Sequence, residues 1–322
     1  MAIEANTFLT FTAIGNREDL ADMIHDVSPT DRPFMSNAKT TTATAVNHEW
    51  QTDVLAAAAA NKEIEGNIAT ADAMTPTVRV SNRLQISRKV VSVSGTQNAV
   101  DSAGRAEESA YQMIKSGKEL TRDMEFTLTR NSASSAGSGT VGRSLAGLES
   151  WLATNKVSVG SGVSTPTTPG FASGDTVAPT DNTALGAFTE TSLKAVLKLC
   201  FDNGGDPTMI MVGSFNKQTA SGFSGVATAQ RDTGNARVQI IGAADLYVSD
   251  FGEHALVPNR FQRDETAFCL DFDKLAIAYL RNIQTVPLAR TGDADRAFLL
   301  SEYTLEVQNQ IASGKVTDCS TS

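Results

Sequence analysis

Cysteine is scarce in this chain of 322 residues, and its three copies, Cys200, Cys269 and Cys319, lie far apart. An odd number of cysteines at such spacing provides neither a disulfide framework nor a paired zinc motif. Their scarcity argues against a small secreted domain held together by disulfides. It favours assembly in a reducing compartment.

Long apolar runs and an excess of basic charge are also absent. No stretch approaches the roughly 18 consecutive apolar residues of a membrane span, and residues 1–12 lack the basic start and apolar block of a signal peptide. The formal net charge is −9, whereas tight wrapping of nucleic acid requires a basic face. An acidic container would instead let packed DNA slide without sticking.

Catalytic constellations are missing too. The three histidines, His25, His48 and His254, stand apart, and the acidic cluster considered for a site is Asp250 and Glu253 beside His254. No further ligands occur at usable spacing, so we expect a solvated loop beside a turn there. No G-x-S-x-G nucleophile motif is present. We therefore predict no catalytic residue, no metal site and no enzyme activity.

One segment matches the letters of a dinucleotide-binding motif but lacks its structural context. Gly137, Gly139 and Gly142 spell G-x-G-x-x-G, which binds pyrophosphate only between a strand and a helix. Here it follows a Ser/Ala connector at 132–136, so we predict a flexible hinge and no cofactor. Cys200 lies on an apolar helix face and Cys269 in a strand pattern, which favours a role in the core.

What the chain does contain is a long β-hairpin pattern over residues 48–94. The return arm from Thr77 to Ser87 alternates between apolar Val78, Val80, Leu84 and Ile86 and polar Arg79, Ser81, Arg83, Gln85 and Ser87. This period of two is typical of a strand with one buried and one exposed face. The outbound arm has five acidic residues against one lysine, and the return arm is basic through Arg79, Arg83, Arg88 and Lys89.

A hairpin of this length lacks a core of its own. An isolated two-stranded ribbon is marginally stable in water, and twenty residues at about 3.3 Å each would reach roughly 65 Å. We therefore predict that the hairpin lies on another copy of the chain. The alternative is a hairpin that folds back on its own domain.

If the hairpin lies on another copy of the chain, its charged and aromatic residues are candidates for contacts between subunits. Trp50 is either an aromatic interface anchor or an ordinary core tryptophan. The basic hairpin residues would pair with acids on a neighbouring helix, and the alternative is a solvated face worth under about 1 kcal/mol per pair. The predicted interface residues are Trp50, Asp53, Glu63, Glu65, Arg79, Arg83, Arg88, Glu107, Glu108 and Asp123.

Beyond the hairpin, apolar residues recur every three or four positions and predict a long helix over about 103–130. These positions are Ala106, Ala110, Met113, Ile114, Leu120, Met124 and Leu128. A short helix is predicted from Leu145 to Leu152. The Ser/Thr/Gly-rich segment 156–188 has too few large apolar residues for a core, and we interpret it as an inserted loop.

From Thr191 onward the pattern is typical of mixed α and β structure. A helix face is formed by Leu193, Val196, Leu197 and Cys200, and it ends at Asn203-Gly204-Gly205. Strands are predicted at 208–212, 238–241, 246–248, 268–280 and 298–307. In the last strand, Tyr303, Leu305 and Val307 alternate with Glu302, Thr304 and Glu306, which predicts one buried and one exposed face.

The order of these elements resembles the Hong Kong 97-type fold of tailed-bacteriophage major capsid proteins. One branch of that family has motifs similar to several segments between residues 17 and 316. They are Asp19-Leu20, Ser28-Pro29-Thr30-Asp31-Arg32-Pro33-Phe34-Met35-Ser36, His48-Glu49-Trp50-Gln51-Thr52-Asp53, Ser249-Asp250-Phe251-Gly252, Val257-Pro258-Asn259-Arg260-Phe261, Pro287-Leu288-Ala289-Arg290 and Glu302-Tyr303-Thr304-Leu305-Glu306-Val307. Segment 156–188 matches nothing in that branch.

The resemblance implies an α+β capsid fold with a defined domain order. Residues 1–47 would be the N-terminal arm, with a helical turn after Asn16, and 48–94 the extended hairpin loop. Residues 95–189, with the spine helix, and the returning strands and tail of 266–322 would form the peripheral domain. Residues 190–265 would form the axial domain.

The resemblance also implies a function without reaction chemistry. The chain would self-assemble as hexamers and pentamers into an icosahedral shell around double-stranded DNA, without sequence-specific binding and without a membrane. A portal protein would occupy one vertex, and decoration and scaffolding proteins are further candidate partners. The product would be a virion component assembled in the host bacterial cytoplasm. An encapsulin-type nanocompartment is the alternative, and a secreted β-rich adhesin is disfavoured.

The family's namesake is cross-linked covalently between lysine and asparagine side chains. Lys62 near the hairpin tip, with Asn309 and Glu306, offers the same residue types. The motif residues do not align, so no cross-link is predicted.

Overall fold

The computed structural model describes residues 29–68, 71, 73–100, 107–161, 176–223, 246–290 and 292–321. The helices are α1 (Pro33–Asn37), α2 (Gly95–Ala99), α3 (Glu108–Thr129), α4 (Leu148–Trp151), α5 (Glu190–Asp202) and α6 (Ser214–Ala220). The helical turn predicted after Asn16 and the strand predicted at 238–241 lie outside the described residues.

A four-stranded sheet carries the hairpin. Its strands are β1 (Lys39–Thr42), β4 (Gln85–Ser94), β10 (Leu275–Pro287) and β11 (Ala294–Val307). The order is β1-β10-β11-β4, with β1 parallel to β10 and the other pairs antiparallel. A separate two-stranded ribbon is formed by β2 (Asn47–Thr52) with β3 (Val78–Arg83).

A six-stranded mixed sheet forms the other half of the molecule. Its strands are β5 (Lys156–Ser158), β6 (Met209–Val212), β7 (Leu246–Ser249), β8 (Gly252–Pro258), β9 (Ala267–Leu270) and β12 (Gly314–Thr317), in the order β5-β12-β9-β6-β8-β7. Segment 156–188 therefore begins with a strand, although the sequence predicts a loop there, because β5 gains backbone partners from the distant β12.

The long helix is confirmed as α3, and the first residues of its predicted span, 103–106, lie outside the described part of the chain. Leu120, Met124 and Leu128 are buried one turn apart and pack in the core between α3 and the strands β10 and β11. Ile114 was predicted on the same face but is 65% exposed. The packed face covers mainly the C-terminal half of the helix, and one periodic pattern cannot show where the covering sheet ends.

Helix α5 confirms its predicted apolar face and its end. Leu193, Val196, Leu197 and Cys200 are buried against β6, β9 and β12. The Thr189 hydroxyl accepts a hydrogen bond from the Ser192 amide and caps the first turn. Gly204 follows the helix at φ +80°, a left-handed conformation that glycine adopts without strain.

Residues 268–280 form two strands in different sheets, although the sequence predicts one. Strand β9 belongs to the six-stranded sheet and β10 to the four-stranded sheet. A short turn, Phe272–Lys274, separates them, and the Asp271 carboxylate accepts a hydrogen bond from the Asp273 amide there. The apolar residues on both sides of the turn conceal it in the sequence.

The prediction of one exposed face on β11 is wrong. Glu302, Thr304 and Glu306 are buried together with their apolar neighbours Tyr303 and Leu305. The polar face is covered by the base of the hairpin and by the 131–147 segment, whose side chains supply hydrogen-bond partners. The sequence pattern shows only that this face is polar.

The region around His254 also differs from its prediction. His254 is 1% exposed in β8, and its ring nitrogens lie 2.7 Å from the Ser249 hydroxyl and 2.6 Å from the Pro207 carbonyl oxygen. The residue is a satisfied core histidine because β6 and β7 flank β8. The glycine motif at 137–142 lies in a loop, and the next helix, α4, begins only at Leu148.

Candidate assembly interface

The base of the hairpin is fixed to the chain's own core. The Trp50 indole nitrogen donates a hydrogen bond of 2.9 Å to the Val307 carbonyl oxygen, and its ring lies 5.3 Å from the ring of Trp151. Two residues earlier, His48 lies 2.8 Å from the Glu306 carboxylate. Both contacts join β2 to the end of β11.

Glu306 is bound by β1 as well as by the hairpin base. Its carboxylate also accepts a hydrogen bond of 2.9 Å from the Thr41 hydroxyl in the edge strand β1. The hydrogen bond with His48 is the main cause that lowers the pKa of the Glu306 carboxyl. The anionic form of this buried carboxylate is therefore stabilised in place.

Strand β3 is held by one buried amide side chain. The Asn82 side chain donates to the carbonyl oxygens of Ala146 and Leu305 and accepts from the amides of Ala146 and Arg83, at 2.9–3.1 Å. The chain then breaks at Leu84, after which β4 pairs with β11. The predicted continuous strand from Thr77 to Ser87 is therefore two strands.

The predicted alternation of this return arm is also wrong at several positions. Val78 is 52% and Ile86 45% exposed, while Ser81 and Asn82 are buried. Val80 and Leu84 are buried as predicted. The hairpin base packs under the 131–147 segment, and this packing decides which residues are buried. Polar side chains are buried there when they form hydrogen bonds with the backbone of that segment, as Asn82 does with Ala146.

Beneath the hairpin base, one buried carboxylate is paired with two arginines that reach the surface. Glu302 is 4% exposed and is contacted by the guanidinium groups of Arg143 and Arg281. Arg143 also donates to the Leu84 carbonyl oxygen, at the break between β3 and β4. These buried contacts were missed because the alternation on β11 suggested a solvated face for Glu302 and Glu306.

The connection between β2 and β3, residues 53–77, contrasts with this fixed base. In its described residues it contains no strand. Its large apolar side chains are exposed by between 61% and 95%: Val54, Leu55, Ile64, Ile68 and Met74. Several exposed apolar side chains in one segment are typical of a surface that contacts another protein.

The structure distributes the predicted interface residues over three places. Asp53, Glu63 and Glu65 are exposed in the connection. Trp50 is half-buried in the chain's own core, so its observed contacts are those of the second interpretation, a core tryptophan. Arg79 on β3 forms an ion pair of 3.2 Å with Glu49 on β2.

Of the remaining predicted residues, Arg83 is half-buried at the end of β3, and the other four lie on or beside α3 and the four-stranded sheet. Arg88 is exposed on β4, and its neighbour Lys89 forms an ion pair of 2.7 Å with Asp123 of α3. Glu107 precedes α3 and accepts a hydrogen bond from Ser109. Glu108 is buried in the first turn and accepts one from Gln112.

A second buried carboxylate joins the N-terminal segment to the rest of the molecule. Glu125 of α3 is fully buried and accepts hydrogen bonds from the amides of Phe34 and Met35 and from the side chain of Asn259, at 2.8–2.9 Å. Burial raises the pKa of Glu125, and these three donors oppose the rise. One side chain thus joins α1, α3 and the end of β8.

The described residues offer little to suggest chemistry. They contain no group of three or more His, Cys, Asp or Glu residues that could hold a metal ion, and no helix among them is long and apolar enough to cross a membrane. The three cysteines are buried, and burial raises the pKa of the Cys200 and Cys319 thiols to about 12. Their predicted role in the core is confirmed for Cys200 and Cys269.

Of the residues considered for a cross-link, Asn309 and Glu306 have other observed contacts. Lys62 is exposed in the connection. Asn309 accepts a hydrogen bond from the Ile311 amide at 3.3 Å, and Glu306 is held by His48 and Thr41.

Comparison with known proteins gives one family match over nearly the whole chain. The sequence model of the family described as SU10 major capsid protein matches residues 4–320. The major capsid protein of Escherichia phage Phieco32 is 39% identical over 127 residues, which are 39% of this chain and 36% of that protein. The chain thus matches little more than a third of this curated relative's length.

Solved structures with a similar fold include several particle shells. The capsid of cyanophage A-1(L) has a TM-score of 0.67 at 12% identity, with 97% of this chain and 98% of that chain covered. The capsid of a native GTA particle has a TM-score of 0.61 at 13% identity, with the same coverage. The SrpI encapsulin of Synechococcus elongatus has a TM-score of 0.55 at 13% identity, with 94% and 92% covered. These likenesses confirm the predicted Hong Kong 97-type capsid fold, whereas the particular branch and its motifs stay a prediction.

Proposed function

Since the chain belongs to the SU10 major capsid protein family, we propose that it is the repeated subunit of a tailed-phage head. In this proposal hexamers and pentamers close into an icosahedral shell around double-stranded DNA. A portal protein occupies one vertex, and decoration or scaffolding proteins are further partners. The shell is part of the virion and is assembled in the host bacterial cytoplasm.

The observation that carries the assembly proposal is the contrast within the hairpin. Its base is fixed by Trp50, His48 and Asn82 to the chain's own core, while the described residues of its 53–77 connection expose apolar side chains. A fixed base with an uncovered tip suits a segment that lies on a neighbouring subunit. In a closed ring every such contact is repeated, so weak contacts act together.

The charged residues suggest how the contact is oriented. We place the acidic connection, with Asp53, Glu63 and Glu65, on the neighbour, together with Arg83 and Arg88 at its root. The acids around α3 of the neighbour (Glu107, Glu108 and Asp123) are the partners predicted for the arginines. Asp123 is already bound by Lys89 of its own chain. Its carboxylate would therefore contact both Lys89 and the arginine of the neighbouring subunit.

We also propose a domain arrangement for the chain. The N-terminal arm (1–47) and hairpin loop (48–94) would reach outward from the peripheral domain (95–189 and 266–322). The axial domain (190–265) would lie near the capsomer centre. The six-stranded sheet crosses the proposed boundary, because it combines β6, β7 and β8 from the axial range with β5, β9 and β12 from the peripheral range.

Electron microscopy of the purified chain tests the proposal. We expect closed shells of uniform size, or rings of five and six subunits before closure. Size-exclusion chromatography and limited proteolysis would detect the outcome that contradicts the proposal. A compact monomer whose 53–77 connection resists protease because it is docked on its own body would contradict the proposal.

An encapsulin-type compartment is the second candidate, and the likeness to the SrpI encapsulin favours it as far as the fold goes. The content of the particles separates the two functions. A phage head isolated from its host would protect DNA from nuclease. A compartment would instead contain a co-purifying cargo protein, which mass spectrometry would detect.

A further inference from the structure

The solvent-exposed face of α3 carries a row of basic side chains. We call it the α3 basic stripe and define it as Lys115, Lys118, Arg122 and Arg130. Lys115, Lys118 and Arg130 are exposed, and Arg122 is half-buried. Since α-helical residues four apart lie one turn apart, Lys118 and Arg122 are neighbours separated by about 6 Å along the axis.

Apolar and aromatic side chains interrupt the stripe at the same spacing. Ile114 is 65% and Phe126 is 42% exposed. The Arg130 guanidinium carbon lies 4.2 Å from the centre of the Phe126 ring, within the range of a cation–π contact. The ring and the cation thus support each other at the surface.

The acidic residues of α3 are mostly held away from this stripe. Glu125 is buried and bound to α1 and Asn259. Asp123 is bound by Lys89 of β4. Glu119 is the acidic residue that lies within the stripe, so the face has an excess of positive charge on a chain whose net charge is −9.

The length and shape of the stripe fit a rod-like polyanion. From Lys115 to Arg130 the helix rises by about 22 Å at 1.5 Å per residue, and duplex DNA carries one charge per ≈ 1.7 Å of its axis. A convex helix side with long, flexible cations can touch several phosphates without shape complementarity. An acidic protein partner would instead require a surface matched to Ile114 and Phe126.

We propose that the α3 basic stripe faces the interior of the shell and binds the phosphate backbone of the packaged duplex without reading its sequence. This inference rests on the proposed function, because it requires DNA inside the shell. Elsewhere the acidic surface repels DNA. The stripe would provide a weak, salt-sensitive contact repeated in every subunit.

The test uses the full-length chain before shell closure and a fluorescent duplex of about 20 base pairs as the probe. Anisotropy titrations are run between about 50 and 200 mM salt. The variant Lys118→Glu/Arg122→Glu removes two stripe cations. The matched control, Lys194→Glu/Lys198→Glu, makes the same change in net charge on α5, where both lysines are exposed and paired with Glu190 and Asp202.

We expect the stripe variant to bind the duplex less tightly. The slope of log K against log[salt] should also fall in magnitude by about 2, because two phosphate contacts are removed. The control should bind like the wild type once the shared change in net charge is accounted for. Equal losses in both variants would overturn the proposal, because they would reflect net charge alone. Circular dichroism establishes that both variants are folded, and Lys118→Gln/Arg122→Gln repeats the test with neutral side chains.

Electron microscopy of the same variants distinguishes this inference from the proposed function. If the stripe variant forms normal shells but binds duplex less tightly, the proposal holds. If it binds duplex normally and fails to form shells, the stripe is a contact between copies and the proposal is wrong. If no version of the chain, wild type included, forms shells, the proposed function itself fails.

Formaldehyde cross-linking of DNA-filled particles gives a readout that needs no variant. Peptides with DNA attached at Lys115 or Lys118 are expected, and peptides attached at Lys194 or Lys198 are not. Attachment at the α5 lysines alone would overturn the proposal.

Discussion

At the scale of single residues, buried polar side chains decide how the hairpin is attached. Glu306, Glu302 and Asn82 are all buried, and each is bound by groups from distant parts of the chain. A buried polar group without its partners costs about 1–3 kcal/mol. These residues therefore specify one position of the hairpin base and penalise all others.

The Glu306 contact predicts a pH dependence of stability. The pKa of Glu306 is lowered below its ordinary value of 4.5 by the hydrogen bond with His48. A lowered pKa contributes stability that is present above the unfolded-state pKa and is lost as the pH falls through the folded-state pKa. Urea unfolding of the unassembled chain between about pH 3 and pH 6 should therefore show a steeper acid loss in the wild type than in Glu306→Gln. The control is Glu65→Gln, because Glu65 is exposed, and an unchanged slope in Glu306→Gln would contradict the assignment.

Asn82 predicts a large effect of one neutral substitution. Asn82→Ala leaves the carbonyl oxygens of Ala146 and Leu305 and the Ala146 amide without their partner. The free energy of unfolding should fall by about 2–3 kcal/mol. The control is Asn47→Ala, because the Asn47 side chain makes an exposed contact with Glu49, and it should change stability by under about 0.5 kcal/mol. Equal effects of the two variants would show that the Asn82 contacts are not structural.

At the scale of elements, the hairpin is a short ribbon with a long connection. Strands β2 and β3 pair over six residues each, and such a ribbon is only marginally stable by itself. Its stability is supplied at one end by Trp50 against Trp151 and the Val307 carbonyl oxygen. The connection at the other end has no comparable support in its described residues, which leaves it available to a neighbouring subunit.

Removal of this support should release the ribbon without unfolding the domain. Trp50→Ala removes the ring contact and the hydrogen bond, so the amides of β2 and β3 should exchange with deuterium faster, while those of β10 and β11 keep their protection. Hydrogen exchange with mass spectrometry measures this difference. The control is Gln51→Ala, whose side chain is exposed. Global loss of protection in Trp50→Ala would mean that the residue supports the whole core instead.

At the scale of the whole molecule, two sheets share one continuous chain path. The chain leaves the six-stranded sheet after β9, forms β10 and β11 of the four-stranded sheet, and returns as β12. Glu125 adds a further link between α1, α3 and the end of β8. The two sheets are therefore joined both by the chain path and by the hydrogen bonds of one buried side chain.

Charge reversal at Arg83 tests the proposed assembly at this scale. Arg83→Glu should leave the chain folded, because the backbone amide and carbonyl oxygen of residue 83 keep their partners Asn82 and Thr304, and it should reduce the yield of closed shells. Circular dichroism and negative-stain microscopy measure the two properties. Lys198→Glu, a reversal on α5, should form shells normally. A normal shell yield from Arg83→Glu would refute a role of this arginine between subunits.

The sequence by itself determined the features that depend on local periodicity and on element order. The 3.6-residue spacing of Leu193, Val196, Leu197 and Cys200 predicted a helix and its buried face, and the order of arm, hairpin, helix and strands predicted the capsid fold. Only the tertiary structure decided the division of 268–280 between two sheets, the break at Leu84 and the burial of Glu302 and Glu306. The physical reason is that burial of a polar face depends on which distant segment packs on it, and a periodic pattern carries no information about that segment.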